Sequence, residues 1–270
     1  MQVNLNQTRG SPIIRPILTI LFFICSNQLA LAQFQPPELT PFQKQIQAAM
    51  QNDIRTAEEV ARDRERQPLQ TLTFFGLKED MKVIELVPAG GWFTKILGPV
   101  LRDKGELYIA QPDFYYSRTD EVLKLPGLDK VRKLPWGEWK GELEAGVRTM
   151  PPPGQWAIDD ADMVLTFRNY HNFSEQARAA LNQSVFAALK PGGWYGILDH
   201  TRRHMEPENT ENGRREDPVA VIKEVQAAGF VFVDYTNLHF RPDDELRYEV
   251  GRESVTGNTD RFTLLFKKPE

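Results

Sequence analysis

Short apolar segments alternate with helical segments from residue 82 onward, and this alternation restricts the fold more than any other feature of the chain. A chain that places helices between successive strands forms a parallel sheet with helices on both faces. The last two predicted strands have no long helix between them, which predicts a closing antiparallel hairpin. The predicted strands are 82–87, 106–111, a short one near 130–134, 161–167, 194–199, 230–236 and 261–267, and the predicted helices are 92–102, 174–189 and 217–228.

The N-terminus has the three regions of a secretory signal peptide. Residues 1–16 carry two arginines and no acid, residues 17–24 are apolar, and Ala30-Leu31-Ala32 is a small-x-small cleavage pattern. The apolar run is too short to span a membrane. We therefore expect residues 1–32 to be a signal peptide cut after Ala32, and the mature protein to be periplasmic or secreted. Cleavage also removes Cys25, the single cysteine, which excludes disulfides and cysteine chemistry from the mature chain.

Between the signal peptide and the alternating region we expect an N-terminal segment over 33–66. Residues 33–42 are Pro-rich and predict an extended lead-in, and the apolar spacing after them predicts one helix over 43–66. Pro68 begins a second predicted helix, which ends at Gly76. The main domain is predicted over 67–270.

Residues 112–160 interrupt the alternation and predict a long loop or lid. This segment contains Trp136, Trp139 and Trp156 together with several prolines and glycines. Two interpretations of the tryptophans stay open. They anchor a long loop to the core, or they form an aromatic wall for a ligand.

Charge and motif content exclude several classes of function. The formal net charge of −4 gives no basic footprint that points to nucleic acid. The sequence has no Gly-x-Ser-x-Gly motif, which leaves a serine hydrolase unsupported. His200 and His204 have helical spacing but lie in no helical pattern, and we predict no metal site.

The turn after the first strand, residues 85–91, has the composition of a cofactor loop. Doubly wound sheets bind ligands beyond the carboxyl ends of their strands, where a helix N-terminus supplies free N–H groups. Gly90 and Gly91 let a ligand approach the backbone. Val87 and Ala89 place side chains where such a turn usually has glycine.

The second strand ends at Gln111, followed by Asp113. An acidic residue at this place commonly accepts hydrogen bonds from ribose hydroxyls. Gln111 can accept such a bond without charge assistance. Asp113 either replaces it or is a simple turn residue after Pro112.

Polar and aromatic side chains follow the strand at 161–167, in the run Arg168-Asn169-Tyr170-His171-Asn172-Phe173. A histidine at this place, His171, suits a general base, and Arg168 suits a carboxylate or phosphate. Asp199, at the end of the next strand, either orients His171 or His200 or receives a substrate amine. The alternative is that these side chains only satisfy backbone groups of the loop.

Three segments together resemble the class I S-adenosylmethionine-dependent methyltransferases. They are Glu85–Gly91 with the helix after it, Asp162–Asn172, and the turn Leu189-Lys190-Pro191-Gly192-Gly193. The patterns FFGLKEDMKVIELVPAGGWFTKIL, LTFRNYHNF, AAGF and TDRFTLLFKKP resemble an exported bacterial branch of predicted methyltransferases. The resemblance covers roughly residues 60–268. It implies a Rossmann-like, doubly wound, seven-stranded, mostly parallel sheet with an antiparallel last strand.

The same resemblance implies a cofactor and its contacts. S-adenosylmethionine would lie across the loop after the first strand, with its ribose at the end of the second strand. Val87, Ala89 and Gln111 depart from the family pattern at these contacts. The implied cofactor-binding residues are Glu85, Pro88, Gly90, Gly91, Gln111, Asp113, Phe167 and Arg168.

Two hypotheses of function follow, from different classes. The first is a methyltransferase that acts on a small-molecule acceptor, with His171, Asp199 and Arg168 as its catalytic residues. The second is an exported binding protein that keeps the fold and has lost the cofactor, with Val87 and Ala89 filling the old pocket. A different enzyme that uses His171 and Asp199, such as a hydrolase, stays open as a third.

Overall fold

A computed structural model describes residues 38–137 and 150–270 of the chain. The predicted signal peptide and Trp139 lie outside the described residues. Residues Leu39–Glu270 form a compact unit. Within the described ranges, no helix is long and apolar enough to cross a bilayer.

A mixed sheet organises this unit. Its seven strands, within the described residues, follow the order β3-β2-β1-β4-β5-β7-β6. β1 pairs in parallel with β2 and β4, whereas β7 runs antiparallel to both β5 and β6. The predicted fold class is therefore confirmed. The strands are β1 Lys82–Leu86, β2 Glu106–Ala110, β3 Arg132–Leu134, β4 Ala161–Phe167, β5 Leu189–His200, β6 Val231–Thr236 and β7 Arg261–Lys267.

The prediction of one helix over 43–66 is wrong, because this stretch forms three helices. They are α1 Pro41–Met50, α2 Ala57–Ala61 and α3 Asp63–Arg66, and α4 Pro68–Phe74 follows them. Thr56 starts α2 with a capping box, in which its hydroxyl accepts from the Glu59 N–H and the Glu59 carboxylate accepts from the Thr56 N–H. A capping box satisfies the free N–H groups of a new helix and so separates α2 from α1.

The remaining helices cover both faces of the sheet. They are α5 Thr94–Leu101, α6 Asp113–Leu123, α7 Glu175–Ala188 and α8 Pro218–Ala227, with a short 3₁₀ turn at Tyr170–Asn172. The segment predicted as a loop or lid over 112–160 contains α6 and β3. In α6 only Thr119 is buried, so the helix lacks the apolar stripe by which sequence patterns identify helices.

The core has two parts, one on each face of the sheet. On one face α7 and α8 bury Leu181, Val221 and their neighbours, and on the other α1, α4 and α5 bury Ile46, Leu72 and Ile96. Each such side chain contributes about 1.5–3 kcal/mol by its removal from water. Trp136 and Trp156 are buried in the first part, and Trp136 donates its indole N–H to the Pro151 carbonyl at 3.0 Å. The structure thus favours the interpretation of these two tryptophans as anchors.

Candidate functional site

The loop after β1 adopts a backbone path that usually requires glycine. Val87, Ala89 and Gly91 all have left-handed φ angles, of 49°, 49° and 69°. This conformation costs an L-residue about 1–2 kcal/mol. Neighbouring bonds maintain it, since the Val87 N–H donates to the Ala110 carbonyl at 2.8 Å and the Asn169 amide donates to the Val87 carbonyl at 2.9 Å. The chain therefore keeps the shape of a cofactor loop with two of its glycines replaced.

The side chain of Val87 occupies the core and not the open side of the loop. It is 1% exposed and belongs to the core cluster that contains Trp136 and Phe173. At Gly90 the loop is exposed, and a Cβ built there would meet no atom within 4 Å. The loop thus has an open face at Gly90, although Val87 carries a side chain.

Gln111, the predicted ribose contact, is fully buried and bonded within the protein. Its Oε1 accepts from the Ala89 N–H at 3.0 Å, and its Nε2 donates to the Thr119 hydroxyl at 2.6 Å. The Thr119 hydroxyl in turn donates to the Ala89 carbonyl at 2.7 Å. These bonds tie the loop to α6. Asp113 is the exposed first residue of α6, where a carboxylate interacts favourably with the helix dipole.

Glu85 lies buried on the α5 side of β1. Its Oε2 accepts from the Thr94 hydroxyl at 2.6 Å. Burial raises the pKa of Glu85 to about 7, against the lowering effects of the Thr94 hydrogen bond and the charge of Arg66. The carboxyl is therefore poised between its neutral and charged forms at neutral pH.

Phe167 and Pro88 flank this loop without a polar role of their own. The Phe167 ring stacks on Phe93 with ring centres 3.6 Å apart, and it is buried between β4 and the start of α5. Pro88 is half-buried, and its carbonyl accepts from the Gly91 N–H at 2.8 Å, which closes the turn.

His171 and Asp199 form a buried pair beyond the ends of β4 and β5. His171 Nδ1 lies 2.6 Å from Asp199 Oδ1, and Asp199 Oδ2 accepts from the His171 N–H at 3.0 Å. A carboxylate only accepts, so the proton belongs on Nδ1 and the lone pair on Nε2. This is the arrangement of a general base with an orienting acid.

His200 does not share the aspartate through its ring. Only its backbone N–H donates to Asp199 Oδ1, at 2.7 Å, whereas its Nδ1 lies 2.8 Å from the Thr259 hydroxyl. Burial, followed by the charges of His171 and Arg168, lowers the pKa of His200 well below its usual value. Asp199 is therefore bonded to the ring of His171 and not to that of His200, and it also accepts from the backbone N–H groups of both residues.

A cleft of about 500 Å³ opens beside His171. This volume suits a small molecule. Sequence reasoning missed most of its wall, because α6 and the segments near residues 210 and 249 carry no motif. The lining residues are Phe114, Tyr115, Met150, His171, Asn172, Glu208, Asn209, Thr210, Gly213, Arg214 and Glu249.

Arg168 and Asn169 connect this region to the loop after β1. Arg168 has a left-handed φ of 61°, and its N–H donates to the Leu198 carbonyl at 2.7 Å. The Asn169 amide donates to the carbonyls of Val87 and Phe167. The ends of β1, β4 and β5 therefore form one bonded unit around the candidate site.

No protein-family model matches this sequence, and no curated protein is significantly similar to it. Solved structures do match. A SAM-dependent methyltransferase from Aquifex aeolicus is 16% identical, with a TM-score of 0.52 over 85% of this chain and 99% of that one. The glycopeptide N-methyltransferase MtfA, complexed with sinefungin, is 16% identical, with a TM-score of 0.50 over 75% and 93%. The chain has the class I methyltransferase fold.

The same fold also supports other chemistry. The [4+2]-cyclase SpnF is 16% identical to this chain, with a TM-score of 0.53 over 81% of this chain and 85% of that one. Identities this low establish the fold, and the activity must be argued from the site.

Proposed function

We propose that this protein is an S-adenosylmethionine-dependent methyltransferase acting on a small-molecule acceptor in the cleft beside His171. The observation that carries the proposal is the buried His171–Asp199 pair, which stands at the carboxyl edge of a methyltransferase-type sheet and borders a cleft of about 500 Å³. A binding module has no need of an oriented base at this place.

The residues of the loop after β1 fit the cofactor. The backbone is left-handed at residues 87, 89 and 91, and the loop is open at Gly90, so a ligand can approach the backbone at Gly90. The N–H groups of Val87, Ala89 and Gly91 already donate within the protein. Glu85, Gly90 and Gly91 would face the methionine part of such a ligand, and Phe167 and Arg168 would line its pocket beyond β4. The Gln111 side chain can form a hydrogen bond with the ribose only if its hydrogen bonds to Ala89 and Thr119 break first. When bound, the cofactor supplies an electrophilic methyl group on a sulfonium.

The chain's own residues then handle the acceptor proton. His171 Nε2 accepts the proton of an acceptor hydroxyl or ammonium group, and Asp199 stabilises the imidazolium that forms. The 3₁₀ turn at Tyr170–Asn172 and the two bonds from Asp199 fix the ring before substrate arrives. Such positioning supplies most of the rate when the transfer needs a near-linear approach.

A second candidate function is an exported binding protein without cofactor. Two observations favour it. Gln111 is fully occupied within the protein, and α6 covers the loop so closely that a Cβ at Gly91 would lie 2.8 Å from Val122 Cγ1. Val87 does not support it, because its side chain lies in the core and leaves the loop face open.

Methyl transfer is tested with S-adenosylmethionine that carries an isotopic label on its methyl group. The purified protein is incubated with a small-molecule extract, and label in the products is measured by mass spectrometry. We expect transfer by the wild type and by His204→Gln, whose histidine is half-exposed and paired with Asp217. We expect His171→Gln to lose transfer by about 10²–10⁴-fold while it keeps the cofactor affinity. Equal transfer by all three proteins would contradict the proposal that His171 is the general base.

Export is a separate proposal that rests on the sequence alone. We propose that the chain is cut after Ala32 and acts in the periplasm or outside the cell. N-terminal sequencing of the protein from its native host tests this. An unprocessed N-terminus would contradict it.

A further inference from the structure

Four arginines from distant parts of the chain stand close enough for their charges to act on one another, and one of them lies over Trp92, which follows the loop after β1. We call them the arginine cluster: Arg62, Arg66, Arg168 and Arg261. Arg62 precedes α3 and Arg66 ends it, Arg168 follows β4, and Arg261 begins β7 next to His200 on β5. The Arg261 Nη1 donates to the Glu65 carbonyl at 2.9 Å, which joins the start of β7 to α3.

The cluster has little hydrogen bonding of its own. The Arg66 guanidinium lies over the Trp92 ring at 4.4 Å, and its Nε is buried without an acceptor. The Arg261 Nε is also buried without an acceptor, although that side chain is only 4% exposed. Within residues 38–137 and 150–270, the side chains of Arg62, Arg66 and Arg168 make no hydrogen bond and no ion pair. The two buried Nε donors, of Arg66 and Arg261, therefore have no acceptor within the described part of the protein.

The buried arginines that the structure describes outside the cluster are paired, whereas Arg62, Arg66 and Arg168 are half-buried without an ion pair. Arg55 also contacts Trp92, at 4.8 Å, but it forms two bonds with Asp63 at 2.6 and 2.9 Å. Arg215 forms two bonds with Asp244 at 2.8 and 3.0 Å. An unpaired buried charge is far costlier than a paired one. Arg55 and Arg215 thus have their charge compensated by an aspartate, whereas the arginine cluster has no such partner among the described residues.

The acidic groups near the cluster do not neutralise it. Asp199 is committed to His171 and to two backbone N–H groups, and Glu85 has a pKa of about 7. Glu65 is the remaining counter-charge, whereas Arg214 and Arg241 add further positive charge. Burial, followed by the charges of the other three cluster members, lowers the pKa of Arg66 to about 7. A guanidinium holds its proton strongly, so a bound anion relieves this cost more readily than proton loss does.

We propose that the arginine cluster binds a compact oxyanion, a carboxylate or phosphate group, that belongs to the acceptor. Planar guanidinium forks match both groups, and the Trp92 face holds one fork in place. The charge of Arg66 acts on Glu85, and the charge of Asp199 acts on Arg168, so the cluster adjoins both the loop after β1 and the His171–Asp199 pair. An anion held there lies within reach of both the loop and the His171–Asp199 pair. That this oxyanion belongs to the acceptor rests on the proposed function, whereas the binding of an anion by the cluster does not.

Inorganic phosphate and citrate are the probes for this site. Each is titrated into the purified protein at constant ionic strength, with chloride as the reference salt, and thermal unfolding is followed. We expect both probes to raise the unfolding midpoint above that in chloride, because ligands that bind only the native state stabilise it. No rise with either probe would overturn the proposal.

The variants Arg66→Gln and Arg168→Gln test the location. We expect each to weaken probe binding about tenfold or more, since a charge-assisted hydrogen bond is lost. Arg64→Gln is the matched control, because Arg64 lies on the same helix with a side chain that is 89% exposed. Probe binding by this control should stay within about twofold of wild type. An equal loss in all three variants would indicate non-specific attraction and overturn the proposal.

Titration with S-adenosylhomocysteine separates the acceptor from the cofactor. We expect this compound to bind Arg66→Gln within about threefold of its wild-type affinity, and to bind together with phosphate. Competition between the two, with parallel loss in the variant, would mean that the cluster holds the cofactor's own carboxylate, and the proposal fails. Phosphate binding without any binding of S-adenosylhomocysteine would keep the anion site and overturn the proposed function instead.

Discussion

At the scale of single residues, the site contains residues with strained backbone and buried charged groups without an ion-pair partner among the described residues. The free energy that they cost is offset by packing in the rest of the protein. Val87 and Ala89 hold left-handed backbone, Glu85 is buried without a cation bonded to it, and Arg66 rests on Trp92. Such features persist only where the surroundings over-determine them, and they cluster at functional sites. The sequence placed His171 and Asp199 at neighbouring strand ends, because a strand's end can be read from its apolar run, and the structure shows them bonded to each other. Their catalytic role stays a prediction.

Glycine substitutions should separate strain from packing in the loop after β1. We expect Ala89→Gly to change the free energy of unfolding by less than about 1 kcal/mol, because relief of the left-handed strain offsets the added chain entropy. We expect Val87→Gly to destabilise the protein by about 1–3 kcal/mol, because its buried side chain is lost from the core. Urea unfolding of both variants measures this. A more stable Val87→Gly would contradict the core position of Val87.

Glu85 should give stability a pH dependence of known sign. Its pKa is raised in the folded state from 4.5 to about 7, so the native protein binds the proton more tightly than the unfolded chain does. Its contribution to stability is present below pH 4.5 and is lost as pH rises to about 7. We expect Glu85→Gln, which keeps an acceptor for Thr94, to be more stable than wild type at pH 8 and similar near pH 4.5. Denaturant unfolding at both pH values would show the difference, and an equal offset at both would contradict it.

At the scale of elements, α6 packs on the loop after β1, and α2 carries Glu59, whose carbonyl accepts from the Trp92 indole N–H. The capping box at Thr56 and Glu59 has the Thr-x-x-Glu spacing that is its signature, but the prediction of one helix over 43–66 did not use it. Helix α6 was not visible, because its contacts with the loop run through Thr119 and Val122 and not through an apolar stripe. Local sequence thus specifies where a helix begins more readily than what a polar helix packs against.

A pair of alanine substitutions tests whether α6 packs on the loop. Gly91 has a φ of 69°, and a Cβ there would lie 2.8 Å from Val122 Cγ1, whereas a Cβ at Gly90 would meet no atom within 4 Å. We expect Gly91→Ala to destabilise the protein by about 1–3 kcal/mol, and Gly90→Ala to have little effect. Thermal unfolding of the two variants compares them. Equal stability would mean that α6 is not seated on the loop.

At the scale of the whole molecule, the sheet gathers groups that the chain keeps far apart. The alternation of strands and helices predicted the sheet, and strand ends predicted the loop after β1 and the His171–Asp199 pair. The arginine cluster was beyond prediction, because Arg66 and Arg261 stand at opposite ends of the domain and meet only through the antiparallel β7. The cleft wall was missed for the same reason, since α6 and Glu249 reach it through tertiary packing.

The central claim is that a methyltransferase-type sheet with two replaced glycines still binds its cofactor. Calorimetric titration of the purified protein with S-adenosylmethionine and S-adenosylhomocysteine tests it most directly. We predict saturable one-to-one binding of both compounds, with dissociation constants on the order of micromolar, equal to about 8 kcal/mol of binding free energy. No heat at high protein concentration, together with no binding in equilibrium dialysis, would contradict the claim and leave the cofactor-free binding protein as the better account.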